Sequence, residues 1–228
     1  MSKRLIVYVE GETEHYFVNR ILRNHLAAHG VTVGRTIIAA TSLSPHGRRG
    51  GFVNWVAVEA DLRTLFATEP GPAVRFTTMF DTYAIPPSVP GYPGPSTGVR
   101  SAADVDAIQS CWAVHFAEPR FVPYLQRHEF EALVLAHFPA LHALFPQSTA
   151  ALTALEQAVA ATPSPEDVDD GSMTHPSARL QRAIPTYGSL KPSHGLHVLL
   201  EAGLDNVRAR CPRFNAWLSS WERWGAET

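Results

Sequence analysis

Acidic residues that could hold a metal ion occur in three separate parts of the sequence. Each group comes just after an apolar segment with the composition of a strand, and the residues concerned are Glu10, Asp81, Glu129 and Glu131. The carboxyl ends of parallel strands meet at one edge of a sheet, where ligands bind. Carboxylate oxygens suit Mg²⁺ or Mn²⁺, which bind phosphate oxygens in their remaining positions. The pattern therefore predicts a metal site for phosphoryl transfer or phosphate-ester hydrolysis.

Each acidic group also has an ordinary structural explanation. Glu10 and Glu14 are four residues apart and could reach one ion from the first turn of a helix, yet the helix dipole alone favours acidic residues there. Asp81 could be a helix cap or a turn residue. On a helix over 128–138, Glu129 and Glu131 would face different sides, so that one of them would be solvated. The coincidence of the three groups favours the metal site.

Basic residues and one histidine are further candidates. His128 abuts Glu129 and could act as a general base or support a metal ligand. Lys191 is one of only two lysines in the chain. Arg35 and the Gly-Arg-Arg-Gly segment at 47–50 could contact phosphates, although arginines in a loop are usually just solvated.

Composition limits the class of protein. Of the 228 residues, 45% are apolar, which is enough for a substantial buried core. The two cysteines are far apart and indicate neither a disulfide scaffold nor a zinc ribbon. The net charge of −2 gives no overall basic field, so any binding of nucleic acid would be local or assisted by a partner. No apolar run is long enough to span a bilayer, and the first residues read as a strand rather than a signal peptide, so a cytoplasmic protein is expected.

The elements that must position these residues follow from the apolar periodicity. Strands are predicted at 4–9, 32–40, 74–80 and 120–126. Helices are predicted at 13–29, 52–66, from 101 onward, 128–138, 148–161 and 195–210, with loops at 42–51 and 86–98. The β-α-β opening implies parallel pairing. We expect one α/β domain over 1–228, with a short, mostly parallel sheet and the metal site in 1–140 and a helical extension packed on it in 141–228.

Aromatic residues recur at three- and four-residue intervals near the end of the sequence, at Phe214, Trp217, Trp221 and Trp224. This spacing places them on one face of a helix. We expect that helix to dock on the protein's own core. An exposed stripe would instead indicate a surface for a partner.

Three segments resemble the Toprim-type nucleases of the OLD and RloB-like branch. The run Leu-Ile-Val-Tyr-Val-Glu-Gly-Glu-Thr-Glu ending at Glu14 is similar to their first motif, residues 77–83 lie where the family carries Asp-x-Asp, and Phe-Glu-Ala-Leu at 130–133 resembles a later Phe-Glu motif. Along its whole length the chain resembles a bacterial domain-of-unknown-function family whose members accompany an ATPase in defence-type gene clusters.

The resemblance implies a Toprim fold, divalent metal and nucleic-acid strand cleavage, with DNA as the expected substrate and an ATPase as the expected partner in anti-phage defence. It implies metal ligands at Glu10, Glu14, Asp81, Glu129 and Glu131. It implies catalytic roles for Glu10, Asp81, Glu131, His128 and Lys191, the last matching a lysine that OLD-type enzymes use late in the domain.

One position departs from the family pattern. The second aspartate of Asp-x-Asp is Tyr83 here, which favours an alternative in which the chain is a non-catalytic adaptor on a degenerate Toprim scaffold. The lack of a basic field favours another, a phosphohydrolase acting on small nucleotides. The sequence leaves self-association open.

Overall fold

The computed structural model describes residues 2–39, 54–94, 101–168, 171, 173–189 and 191–227. The chain forms two compact units. The first contains Met1–Leu125 together with Ser220–Thr228, and the second contains Gln126–Ser219. The boundary between the two units thus lies near residue 125. The sequence had predicted that the helical extension begins at residue 141.

A five-stranded sheet forms the first unit's framework in the described part of the chain. Its strands are β1 (Lys3–Val9), β2 (Val31–Ile38), β3 (Val74–Asp81), β4 (Phe121–Val122) and β5 (Leu125–Gln126). The order is β2-β1-β3-β4, all three of these pairings are parallel, and β5 pairs with β3. The predicted α/β class with a mostly parallel sheet is confirmed. The strand predicted at 120–126 is two short strands around Pro123, which has no N–H to donate.

Helices cover the sheet of the first unit. They are α1 (Glu12–Phe17), α2 (Arg23–Ala28), α3 (Trp55–Thr68) and α4 (Ala102–Phe116), and a π-helical turn at Val18–Leu22 joins the first two. The helix predicted at 13–29 is therefore confirmed as one helical run with a wider turn inside it. Apolar residues of β1, β3, α3 and α4 share one core, in which the rings of Trp55 and Trp112 lie 4.7 Å apart.

The proline-rich loop predicted at 86–98 contains neither helix nor strand in its described residues, 86–94. It is held close to α4 at Gly91, whose φ of 83° suits glycine, and a Cβ at this position would lie 2.9 Å from that of Cys111. The loop predicted at 42–51, including the arginines at 48 and 49, lies outside the described residues.

The second unit is helical, as expected for the later part of the chain. Its helices are α5 (Glu131–Val134), α6 (Phe138–Leu144), α7 (Thr149–Ala160), α8 (Pro176–Ala183), α9 (Lys191–Ala202), α10 (Leu204–Arg210) and the first part of α11 (Pro212–Ala226), which ends in the first unit.

Two predicted helices are interrupted, each for a local reason. The helix predicted at 128–138 begins only at Glu131, because His128 adopts a left-handed backbone with φ of 62°. The ring of His137 then accepts a hydrogen bond from the N–H of Ala140 and starts a new helix. The helix predicted at 195–210 breaks at Gly203, where φ is 73°.

The aromatic stripe of α11 is buried, and each ring is at most 6% exposed: Phe214, Trp217, Trp221 and Trp224. This confirms that the helix docks on the protein's own core and leaves no exposed stripe for a partner. Among the described residues, none of the helices is long and apolar enough to cross a bilayer.

Candidate functional site

Two of the predicted metal ligands meet at the carboxyl ends of β1 and β3. The strands run parallel, with Val9 opposite Met79, so Glu10 follows β1 where Asp81 ends β3. The N–H of Glu10 donates to the carbonyl of Met79 at 3.2 Å, and the N–H of Asp81 donates to Oε2 of Glu10 at 2.9 Å. The structure therefore brings together the pair that the sequence predicted at this edge of the sheet.

This pair has the chemistry of a site for a hard cation. Both residues are partly buried, and a carboxylate has about four lone-pair positions, so one hydrogen bond from Asp81 does not exhaust the capacity of Glu10. Oxygen ligands on two neighbouring strand ends fit Mg²⁺, which uses one or two carboxylates and keeps several waters. The ion would be held by Glu10 and Asp81.

Glu14 is buried and turns back to the start of its own helix. Its Oε2 accepts the N–H of Gly11 at 2.9 Å, as an acidic residue in a first helical turn commonly does. Glu12, in the same turn, is exposed. Glu14 therefore has a structural role at the start of α1 through its bond to Gly11. Its role as a metal ligand stays a prediction.

The later acidic residues lie in the second unit, where Glu129 is tied to the beginning of α8. Its Oε2 contacts Nδ1 of His175 at 2.9 Å and accepts the N–H of Ser177 at 2.8 Å, while Oε1 accepts the Ser177 hydroxyl at 2.9 Å. Three hydrogen bonds therefore fix the orientation of this carboxylate.

Glu131, which is completely buried, forms an ion pair with the partly exposed Lys191. The Nζ of Lys191 lies 3.0 Å from Oε2 of Glu131 and 4.0 Å from Oε1 of Glu129. Complete burial raises the pKa of Glu131, the charge of Lys191 opposes this rise, and the charge of Glu129 adds to it. The expectation that Glu129 and Glu131 face different sides is wrong, because α5 begins only at Glu131 and the two-residue spacing is not helical.

Tyr187 completes this buried group. Its pKa is raised well above the usual value, first by burial and then by the charges of Glu131 and Glu129. Lys191 is accordingly not an ordinary surface lysine. The carboxylates of Glu131 and Glu129 lie near its ammonium group.

His128 is also buried in the second unit. Its assignment as a general base stays a prediction. So do the expected roles of Glu129 and Glu131 as metal ligands and of Glu131 and Lys191 as catalytic residues, since Glu10 and Asp81 belong to the first unit.

Sequence reasoning missed several residues of the second unit. His175 and Ser177 stand on either side of a proline that begins α8, which is a usual pattern at a helix start. Glu166 is buried, and it accepts the N–H groups of Arg213 at 2.8 Å and Phe214 at 3.1 Å. In the sequence, Glu166 is only an acidic residue in a short segment that contains proline. Such a segment does not indicate that the carboxylate will bind backbone N–H groups almost 50 residues away.

The fold and the carboxylates at adjacent strand ends define an α/β protein with a parallel sheet and a candidate site for a divalent cation. The chain belongs to the family described as the domain of unknown function DUF4276, whose model matches residues 9–222. Its predicted membership of a domain-of-unknown-function family is thereby confirmed. No curated protein and no solved structure shows significant similarity to the chain.

Proposed function

We propose that this protein is a Mg²⁺-dependent phosphodiesterase that cleaves nucleic acid, with the ion bound by Glu10 and Asp81. The observation that carries the proposal is the 2.9 Å hydrogen bond from the N–H of Asp81 to the carboxylate of Glu10, which holds two hard-oxygen residues together at adjacent parallel strand ends. When bound, the ion would supply a polarised water and neutralise charge on the leaving oxygen.

The local structure supports a role for these residues in binding rather than in stability alone. The carboxyl ends of parallel strands are the usual position of ligands in open α/β sheets. A phosphate at this strand end would therefore lie beside a cation held by Glu10 and Asp81.

The substrate and the partner are inferred from the resemblance to the Toprim nucleases. DNA is the proposed substrate, and an ATPase is the proposed partner, in anti-phage defence. The net charge of −2 favours contacts confined to the site or supplied by that partner.

Cleavage assays with three matched variants test the proposal. Glu10→Gln and Asp81→Asn remove one charge each and change little in shape, and Glu12→Gln removes the neighbouring exposed charge as a control. We expect Mg²⁺-dependent cutting of plasmid DNA to fall by about 100-fold or more in the first two variants, as losses of about 3 kcal/mol in transition-state stabilisation would produce, and to be unchanged in the third.

Other outcomes would favour another function. Equal cutting by Glu10→Gln and the unaltered protein would end the proposal. Hydrolysis of mononucleotides but not of DNA at low salt would indicate a small-molecule phosphohydrolase. Absence of Mg²⁺ and Mn²⁺ binding in calorimetry at millimolar concentration would indicate the adaptor, with Tyr83 as the sequence change responsible.

A further inference from the structure

Two histidines and a glutamate converge in the first unit, in positions that the proposed nuclease chemistry does not use. His25 lies in α2, and His29, four residues later, directly follows the last residue of that helix. Glu222 lies on α11. One donor atom from each of the three side chains lies within 4.8 Å of the other two. The Nε2 of His25 is 2.6 Å from Oε1 of Glu222, and the two imidazole rings are 4.6 Å apart.

The tautomer of His29 suits a metal ligand. Its Nδ1 lies 2.9 Å from the carbonyl oxygen of His25, a position in which Nδ1 carries the proton and donates it. The lone pair is then on Nε2. A hydrogen bond from the second ring nitrogen to a backbone carbonyl is the arrangement that orients histidine ligands in metalloproteins.

Residues 224 and 225 pack against the end of α2 and the start of β1. Gly225 approaches the carbonyl of His29 so closely that a Cβ at this position would lie 1.9 Å from that oxygen. The ammonium group of Lys3 donates to the carbonyls of Trp224 at 2.5 Å and Gly225 at 3.2 Å. Glu222 is therefore placed beside the two histidines by backbone packing three residues away, and not only by its own contact with His25.

We propose that His25, His29 and Glu222 form a binding site for a borderline transition-metal ion, with Zn²⁺ as the ion that fits best. Two imidazole nitrogens and one carboxylate suit Zn²⁺ and not Mg²⁺, and three protein ligands leave a fourth position for water. The proton between His25 and Glu222 is released when the cation takes its place. Metal-ligand bonds of about 2.0–2.1 Å require the three donor atoms, which lie within 4.8 Å of one another, to move closer together and the contact between His25 and Glu222 to open.

The site would clamp the end of α11 to α2. Both helices contribute ligands, and residues 220–228 belong to the same compact unit as the amino-terminal sheet. Bound metal would therefore stabilise the packing of residues 220–228 within this unit, because a ligand that binds only the folded form stabilises that form.

Calorimetric titration of the full chain with ZnCl₂, after treatment with a chelator, tests the proposal. The variants are His29→Ala, whose side chain is exposed, and Glu222→Gln. The matched control is His115→Ala, because His115 pairs with Glu59 at 2.9 Å in the same unit, and no second histidine among the described residues joins that pair in a metal-binding cluster. Circular dichroism checks that each variant remains folded.

We expect one high-affinity Zn²⁺ site in the unaltered protein. Its affinity should fall at least about tenfold in His29→Ala and in Glu222→Gln, since even indirect partners of a metal commonly contribute that much, and should be unchanged in His115→Ala. Unchanged affinity in His29→Ala, or an equal loss in His115→Ala, would show that His25 and Glu222 form only an ion pair.

A His29→Cys variant replaces one metal ligand by another. Its Zn²⁺ affinity should therefore be close to that of the unaltered protein and clearly higher than that of His29→Ala. Failure of this rescue in a folded variant would count against direct ligation. Mg²⁺-dependent DNA cleavage should be the same in His29→Ala and the unaltered protein, so the two proposals can fail separately.

Discussion

The carboxylate of Glu10 accepts the backbone N–H of Asp81, so the residue that follows one strand is tied to the residue that ends its parallel neighbour. The donor is the main-chain N–H of Asp81, and the Asp81 side chain does not take part in this hydrogen bond. Substitution of Asp81 by asparagine therefore keeps the bond, and substitution of Glu10 by glutamine keeps an acceptor. Loss of activity in either variant would report on charge at the site and not on a broken strand end.

Glu14 should contribute to stability through its contact with Gly11. Glu14→Ala removes a charged acceptor from the first turn of α1, and we expect the free energy of unfolding to fall by about 1 kcal/mol, as for other helix caps. Glu12→Ala, an exposed change in the same turn, should cost less than about 0.5 kcal/mol. Urea denaturation of both variants measures the difference. A larger loss in Glu12→Ala would mean that the Gly11 contact is unimportant.

The ion pair of Lys191 and Glu131 should be strongly coupled. Lys191→Met leaves a fully buried carboxylate without its cation, which costs about 3–5 kcal/mol in buried pairs. We expect about 2–3 kcal/mol here, because the Lys191 side chain is 31% exposed. Adding Glu131→Gln to Lys191→Met should restore more than half of the loss. A double-mutant cycle with no coupling would contradict the ion pair.

Stability should depend on pH in opposite senses at two glutamates. Burial raises the pKa of Glu131 above the usual 4.5, so its favourable contribution is complete below that pH and is lost as the pH rises through the folded-state pKa. The hydrogen bond from Arg120 lowers the pKa of Glu118, so its contribution is present above pH 4.5 and is lost on acidification.

The two glutamine variants make this pH dependence measurable. Relative to Glu131→Gln, the unaltered protein should lose stability as the pH rises from about 4.5. Relative to Glu118→Gln, it should gain stability as the pH rises toward that value. The midpoint of urea unfolding at a series of pH values provides the test, and slopes of the same sign for both residues would contradict it.

Glu166 should be important for the start of α11. Its buried carboxylate accepts two backbone N–H groups, those of Arg213 and Phe214. Glu166→Ala leaves both without this acceptor, and we expect a loss of about 2–3 kcal/mol, the upper range for hydrogen bonds to a charged group. Glu156→Ala, on the more exposed face of α7, should have little effect. A loss below about 1 kcal/mol in Glu166→Ala would show that water replaces the carboxylate.

The sequence predicted the parallel strands well because local composition determines them. The run from Leu5 to Val9 is apolar at every position, as a strand buried on both faces requires, and Glu10 ends it. The contact between Glu10 and Asp81 then follows from parallel pairing. The sequence could therefore predict that these two residues lie together at the carboxyl ends of β1 and β3.

The second unit was less predictable because its contacts join distant residues. The left-handed backbone of His128 delays the start of α5, and no local pattern indicates it. The partners of Glu129 and Glu131 come from about 50 or 60 residues further along the chain. A buried carboxylate needs a hydrogen-bonding or charged partner, but periodicity does not identify which residues provide it.

Soaking crystals with Mn²⁺ and locating its anomalous signal tests the central claim most directly. We predict a peak about 2.1 Å from carboxylate oxygens of Glu10 and Asp81, and its loss in Glu10→Gln. A peak elsewhere, or none at millimolar Mn²⁺ in crystals that leave this edge of the sheet open to solvent, would contradict the assignment of the metal to the ends of β1 and β3.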